Sequence, residues 1–332
     1  MRKSIKRIRP AGLAALATAV AVTLVAGFGL QSQAQTVGAV PGPVAPFAES
    51  SPVGFASMNG GTTGGAGGAT VTAGSASQFA GYAQSSTRYI IQINGTISLS
   101  GMVKVASNKT IIGVGTSGRF TNGGLNFSGV RNVIVRNLTF SGAADDSINV
   151  QEGSTNIWFD HNSLTDGYDG LLDIKRGSDY ITVSWNRFFG HDKTALLGHS
   201  DDNRSQDVGH LRVTYVHNWF DGTGQRHPRV RFGNPVHVLN NYYSNIGSYG
   251  VASTCNAGVL VESNYFENVE DPFHRGEGSS PDGALVARNN YLSNSGSGET
   301  GGSVAGIPYS YTVESAANVR NTVRSGAGVG RI

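Results

Sequence analysis

Two acidic groups and one basic group carry the chemistry this chain could do. Asp145-Asp146 opens the run SINV, and Asp169 and Asp173 bracket GLL in DGLLD. The two acidic groups stand about one internal repeat apart, so stacked repeats would set them side by side. Asp169 and Asp173 share parity, and both would point outward if the backbone between them is extended. Three or four carboxylates in one place repel unless a cation joins them, and hard oxygen donors of this type suit Ca2+. A solvated acidic turn is the plainer alternative. Asp201, Asn203, Ser205 and Asp207 also alternate in the manner of a calcium loop. That loop would need glycine at its sixth position, and Arg212 stands at its twelfth.

The basic group is Lys193 with the stretch GQRHPRVRFGN (224–234), which holds Arg226, Arg229 and Arg231. In PRVRF, Val230 and Phe232 would share one side of a strand and Arg229 and Arg231 the other. With the apolar pair toward a core, the arginines face solvent. Pro228 fixes its own φ and biases His227 toward extended geometry, which stiffens the segment. Rigid, clustered guanidinium groups suit bidentate recognition of carboxylates. An exposed strand with snorkelling arginines is the alternative. A polyanionic substrate bridged by a cation on the acidic side satisfies both groups.

Other chemistries find little support. There is no HExxH, and His199, His210 and His217 lack zinc-site spacing. No G-x-S-x-G elbow is present. Cys255, the single cysteine, lies among small residues in GVASTCNAGVLV and reads as a buried small hydrophobe. No internal disulfide is possible, so the fold must rest on its own core.

Residues 1–34 read as an export signal. Arg2, Lys3, Lys6, Arg7 and Arg9 precede an uncharged stretch over 11–30, and Ser32-Gln33-Ala34 resembles a small-x-small cleavage site. A membrane anchor is the alternative for that stretch. Cleavage would remove 5 of the 25 basic residues and none of the 22 acidic ones. The mature chain is then slightly acidic, without the basic excess of a nucleic-acid-binding domain. A secreted, extracellular monomer with no membrane attachment in its mature form and no nucleic-acid partner is expected. Residues 35–52, with Pro41, Pro43, Pro46 and Pro52, read as a leader or linker. Residues 53–332 are long enough for one large domain.

The elements that must position these groups repeat along the chain. NVIVRNLTFSG, NIWFDHNSLTDG, YITVSWNRFFG, LRVTYVHNWFDG, VHVLNNYYSN, GVLVESNYFEN and ALVARNNYLSN follow one plan: a β-branched strand, an Asn, an aromatic or Leu, then a turn. The shared Asn is read at 137, 162, 186, 218, 241, 264 and 290. A period in this range signals a solenoid; a propeller blade would need about 40–45 residues and four strands. The pattern predicts an all-β fold, a parallel β-helix, with the Asn side chains forming a ladder between coils. Ala76, Phe79, Ala80 and Ala83 keep helical spacing and predict a short N-terminal helix capping the first open edge. The interval from Asn186 to Asn218 is longer than the others and holds GHDKTALLGHSDDNRSQDVGH (190–210). Solenoid insertions map to surface loops, often on the binding face, so the active-site face is expected there.

With these residues in place, the sequence closely resembles the secreted bacterial pectate lyases of polysaccharide lyase family one, over about residues 53–332. The carrying motifs are NIWFDHN (156–162), DGLLDIKRGSDYITVSWN (169–186), HDKTALLGHSDD (191–202) and QRHPRVRFGNPVHVLNNYY (225–243). The resemblance implies a right-handed parallel β-helix and calcium-dependent β-elimination of polygalacturonate (pectate) to 4,5-unsaturated products. It implies Asp146, Asp169 and Asp173 as calcium ligands, Lys193 and Arg231 as holders of substrate carboxylates, and Arg226 as the catalytic base. Some members carry a further acidic ligand where this chain has Ala144, so water or Asp145 would substitute. Phe159 stands where an aliphatic residue is usual, a change in packing. An arginine base must be transiently neutral, so a strongly alkaline optimum is expected. Water would protonate the leaving oxygen. The rival readings are a pectin lyase acting on methyl-esterified substrate, a galacturonan hydrolase and a non-catalytic polysaccharide-binding solenoid.

Overall fold

The computed structural model describes residues 50–332. The expected export signal and nearly all of the expected leader lie outside them. Among the described residues no helix is long and apolar enough to cross a membrane.

Three parallel sheets wind around one core. The first has ten strands, from Ala69–Ala73 through Thr155–Asp160 and Asp179–Ser184 to Ala284–Arg288. The second and third meet in the long strand Arg119–Ser128. Its first half pairs with Thr139–Ser141 and its second half with Ile148–Gln151. From there one sheet runs through Ile148–Gln151, Leu172–Ile174, Leu196–Leu197, Arg229–Arg231, Tyr249–Thr254 and Asp271–Arg275. The other climbs from Thr139–Ser141 to Tyr291–Ser293. Each coil thus gives one strand to each sheet, and the parallel β-helix expected from the repeat is what the chain forms.

The physical basis is the period. Each strand turns alternate apolar residues inward, and stacking sets like on like: Val133, Ile157, Ile181 and Val213 are in register and fully buried in one continuous core. Aromatic rings stack the same way. Phe188 and Phe220 lie 5.2 Å apart, and Tyr243 and Phe266 4.3 Å. Phe159 is absorbed in this core, against Phe127 at 5.7 Å.

The Asn ladder forms, with one correction. Asn162, Asn186, Asn218, Asn241 and Asn264 each donate Nδ2 to the Oδ1 of the next member at 3.0 Å, ending on Asn290. Each backbone N–H bonds the same oxygen. Asn137 is one residue out of register. Thr139 pairs with Ser163, so Leu138 occupies the ladder position and its N–H reaches Asn162 Oδ1. Asn137 belongs with the residues just before the ladder, His161, Trp185, His217, Asn240, Ser263 and Asn289, which all have positive φ. Its Asn serves a left-handed turn, a conformation Asn tolerates.

The predicted N-terminal helix is Ala76–Gln84, with Ser75 Oγ accepting from Gln78 N–H as its cap. Phe79 and Ala83 are buried, and Phe79 lies 4.6 Å from Phe120. The C-terminal helix, Ala316–Gly326, carries no repeat signal; its Val319 and Val323 cover Tyr242 beside Trp219 and Tyr265.

Candidate active site

The charged residues converge where chain enters the sheet that holds Leu172–Ile174 and Arg229–Arg231. Asp146 lies two residues before the strand Ile148–Gln151, and Asp173 sits in the next strand, paired with Asn149. The backbone from Asp169 to Leu171 is bent, so parity does not govern it as expected. Asp169 is half-exposed at the surface, while Asp173 is buried.

Gly170 separates the two. A Cβ built there would fall 2.8 Å from Asp146 Oδ1 and 3.0 Å from Asp173 Oδ1. The bare glycine leaves a space walled by both carboxylates. One oxygen each of Asp145, Asp146 and Asp169 lie within 4.8 Å of one another. Asp146 Oδ1 is buried with no hydrogen-bond partner. A carboxylate oxygen left bare beside two other acids is costly unless a cation reaches it, so this donor set fits a calcium ion. Asp173 borders the same space, but its Oδ1 already accepts from Leu196 N–H at 3.2 Å.

Cations inside the chain partly offset this charge. Lys193 Nζ donates to Asp169 Oδ1 at 2.8 Å, and Lys175 Nζ lies 3.4 Å from Asp146 Oδ2 and 3.9 Å from Asp173 Oδ2. The hydrogen bond from Lys193 holds the Asp169 carboxyl below its usual range, against a smaller opposing effect of burial. Asp146 and Asp173 go the other way. Burial raises both, with Lys175 opposing at Asp146; at Asp173 burial and then the charge of Asp146 push the carboxyl up to about 7. Lys175 was not singled out in the sequence; its place two residues after Asp173 in an extended run was the signal.

The arginines divide. Arg226 precedes the strand, has a positive φ of 64°, and has a buried Nε without a hydrogen-bond partner. Among the described residues no carboxylate lies within ion-pair distance of it. Arg231 does not face solvent as expected. It is 8% exposed, its Nε donates to Asp201 Oδ1 at 2.6 Å and its Nη1 to the Gly198 carbonyl at 2.9 Å. The strand ends at Arg231, and Phe232 has positive φ and is not part of the main core, so the Val230–Phe232 face does not form. Gly198 permits the approach, since a Cβ there would meet Arg231 Cβ at 2.8 Å. Arg229 is half-buried and bonds Ser280 Oγ and the Glu277 carbonyl.

The remaining candidates disperse. Asp201 pairs with Arg231, while Asp207 is buried and accepts from Gly177 N–H at 2.7 Å, so the 201–207 stretch does not close on one point. Among the described residues the acidic trio is the one cluster with metal-binding spacing, and His199, His210 and His217 are outside it. Cys255 is buried and free.

A parallel β-helix thus sets carboxylates beside lysine and arginine on one sheet. A pectate lyase family model matches residues 18–332. The chain is 38% identical over 311 residues to the pectate trisaccharide-lyase of Bacillus licheniformis, covering 88% of this chain and 90% of that one. It is 35% identical to pectate lyase E of Dickeya dadantii, over 96% and 94% of the two chains. The structure of a pectate lyase from Bacillus sp. N165 in complex with trigalacturonate superposes with a TM-score of 0.78 at 35% identity, over 84% of this chain and 99% of that one. The chain belongs to the pectate lyase family, lyases acting on polysaccharides.

Proposed function

We propose that this protein is an extracellular enzyme that cleaves polygalacturonate by calcium-dependent β-elimination. The observation that carries the reading is the bare, buried Asp146 Oδ1 in an acidic cluster that directly adjoins Lys193, with Arg226 close enough for its charge to act on Asp169. Asp146, Asp169 and Asp173, with Asp145 beside them, would hold calcium. When bound, calcium neutralises a substrate carboxylate, which acidifies the carbon next to it.

The chain's own residues supply the rest. Lys193 and Arg231 hold galacturonate carboxylates and fix the ring. Arg226, with no carboxylate partner among the described residues, takes the C5 proton in its transiently neutral form. The C5–H electron pair forms the C4–C5 double bond, the C4–O bond breaks, and water protonates the departing oxygen. Fixed positive groups oppose the charge that develops at C5 and its carboxylate, which is where electrostatic stabilisation counts most.

Growth of ultraviolet absorbance on polygalacturonate, with and without chelator, tests the reading. Calcium-dependent growth is expected. Chelator-insensitive activity that is higher on methyl-esterified pectin would establish a pectin lyase instead. Cleavage without absorbance would establish a hydrolase.

A further inference from the structure

Arg231 is held by a structure that reaches well beyond its own coil. Asp201 comes from the long insertion, 30 residues before it, and accepts from Arg231 Nε at 2.6 Å. Both oxygens of Asp201 lie 2.8 Å from Ser280 Oγ. The same hydroxyl accepts from Arg229 Nη2 at 2.7 Å. Ser280 is 6% exposed and closes a tight turn with Glu277, whose N–H and carbonyl exchange hydrogen bonds with those of Ser280. That turn is tied down in turn: Glu277 Oε2 lies 3.1 Å from His274 Nε2, and Cys255 N–H donates to the Pro281 carbonyl at 2.7 Å.

We propose that Asp201 and Ser280 form a brace that positions Arg231, and through Ser280 also Arg229, for the substrate carboxylate. A hydroxyl has one donor and can accept as well. Ser280 uses both capacities, giving to Asp201 and taking from Arg229. Burial works against ionisation of Asp201, yet the hydrogen bonds from Arg231, Ser280 and Cys255 together hold its carboxyl at about 2, so the brace stays charged throughout the alkaline range. Arg231 gives Nε and one Nη1 hydrogen to the protein and keeps three of its five donors for a ligand. A guanidinium fixed on one edge presents the other in a single orientation, as bidentate carboxylate recognition requires. Asp201 and Ser280 are therefore positioning residues, 79 positions apart in the chain and joined only by the stacking of coils.

The inference rests on the lyase reading, and kinetics on polygalacturonate separate the two. Wild type, Ser280→Ala and Ser280→Thr are compared for kcat, KM and melting temperature. Ser280→Ala is expected to lower kcat/KM about tenfold, mainly through KM, because a hydrogen bond to a charged group is lost. Ser280→Thr keeps the hydroxyl and is expected to restore most of the loss. Arg229→Met, which removes only the outer member, provides a second variant with a smaller rise in KM. An active wild type with kcat/KM within twofold in both Ser280→Ala and Arg229→Met overturns the brace alone. So does a Ser280→Thr that falls as far as Ser280→Ala at an unchanged melting temperature. A wild type that forms no unsaturated product overturns the lyase reading, and the brace with it.

Discussion

Lys193 Nζ donates to Asp169 Oδ1 at 2.8 Å, so a candidate substrate-holding cation is paired with a candidate calcium ligand. Each group answers the other's charge in the free protein. Asp169 would be one of the residues to hold calcium, and with that carboxylate engaged Lys193 would be free to meet a substrate carboxylate. Lys193→Ala is expected to tighten calcium binding several-fold, because a competing cation is gone, while kcat/KM falls about a hundredfold or more. Calorimetric calcium titration beside absorbance kinetics checks both halves; a parallel fall in calcium affinity would refute the exchange.

Gly170 leaves the space between Asp146 and Asp173 open. Its φ lies outside the left-handed range, so alanine meets no backbone objection. Gly170→Ala is expected to fold, to weaken calcium binding at least about tenfold by filling the site (~1.4 kcal/mol), and to lose activity that high calcium partly restores.

Asp173 titrates at about 7 in the metal-free fold, raised by burial and by Asp146. Its value in the unfolded chain is the ordinary carboxylate one, so the native state binds more protons between the two. The contribution of Asp173 to the stability of the metal-free protein is therefore fully present below about pH 4 and lost as pH rises through about 7. Calcium needs the ionised form, so its affinity rises over the same interval. Melting curves with chelator and with calcium should diverge increasingly from pH 5 to pH 8.

Arg226→Lys keeps a cation but changes the atom that meets the C5 proton. A fall in kcat of about a thousandfold with little change in KM is expected if Arg226 is the base. Full activity of this variant at neutral pH would remove Arg226 from that role.

Asn218 is buried mid-ladder, donating to Val183 O and Asn241 Oδ1 and accepting from the Asn186 N–H and side chain. Asn218→Ala leaves those groups without partners and is expected to cost ~3 kcal/mol or more. Asn290, partly exposed and last in the ladder, should cost clearly less. Denaturant unfolding of the two variants measures the difference.

The β-helix was legible because a solenoid writes its fold locally. Strand, Asn and turn recur, and each coil meets only its neighbours. Asn137 shows the limit: the letter matched the repeat but the register did not, and hydrogen bonding across coils decided that Leu138 holds the ladder position. The helix Ala316–Gly326 lay outside the repeat, and its burial depends on Trp219, Tyr242 and Tyr265, far earlier in the chain.

By itself the sequence determined the repeat, the all-β class and the identity of the acidic and basic groups. These follow from composition and spacing along the chain. Tertiary structure alone decided how the groups pair. Side-chain contacts between coils depend on insertions and on where each strand ends, and neither is fixed by period. Hence Arg231 is buried on Asp201 rather than exposed, Lys175 joins Asp146, Asp145 draws level with Asp169, and Arg226 has no acid beside it among the described residues.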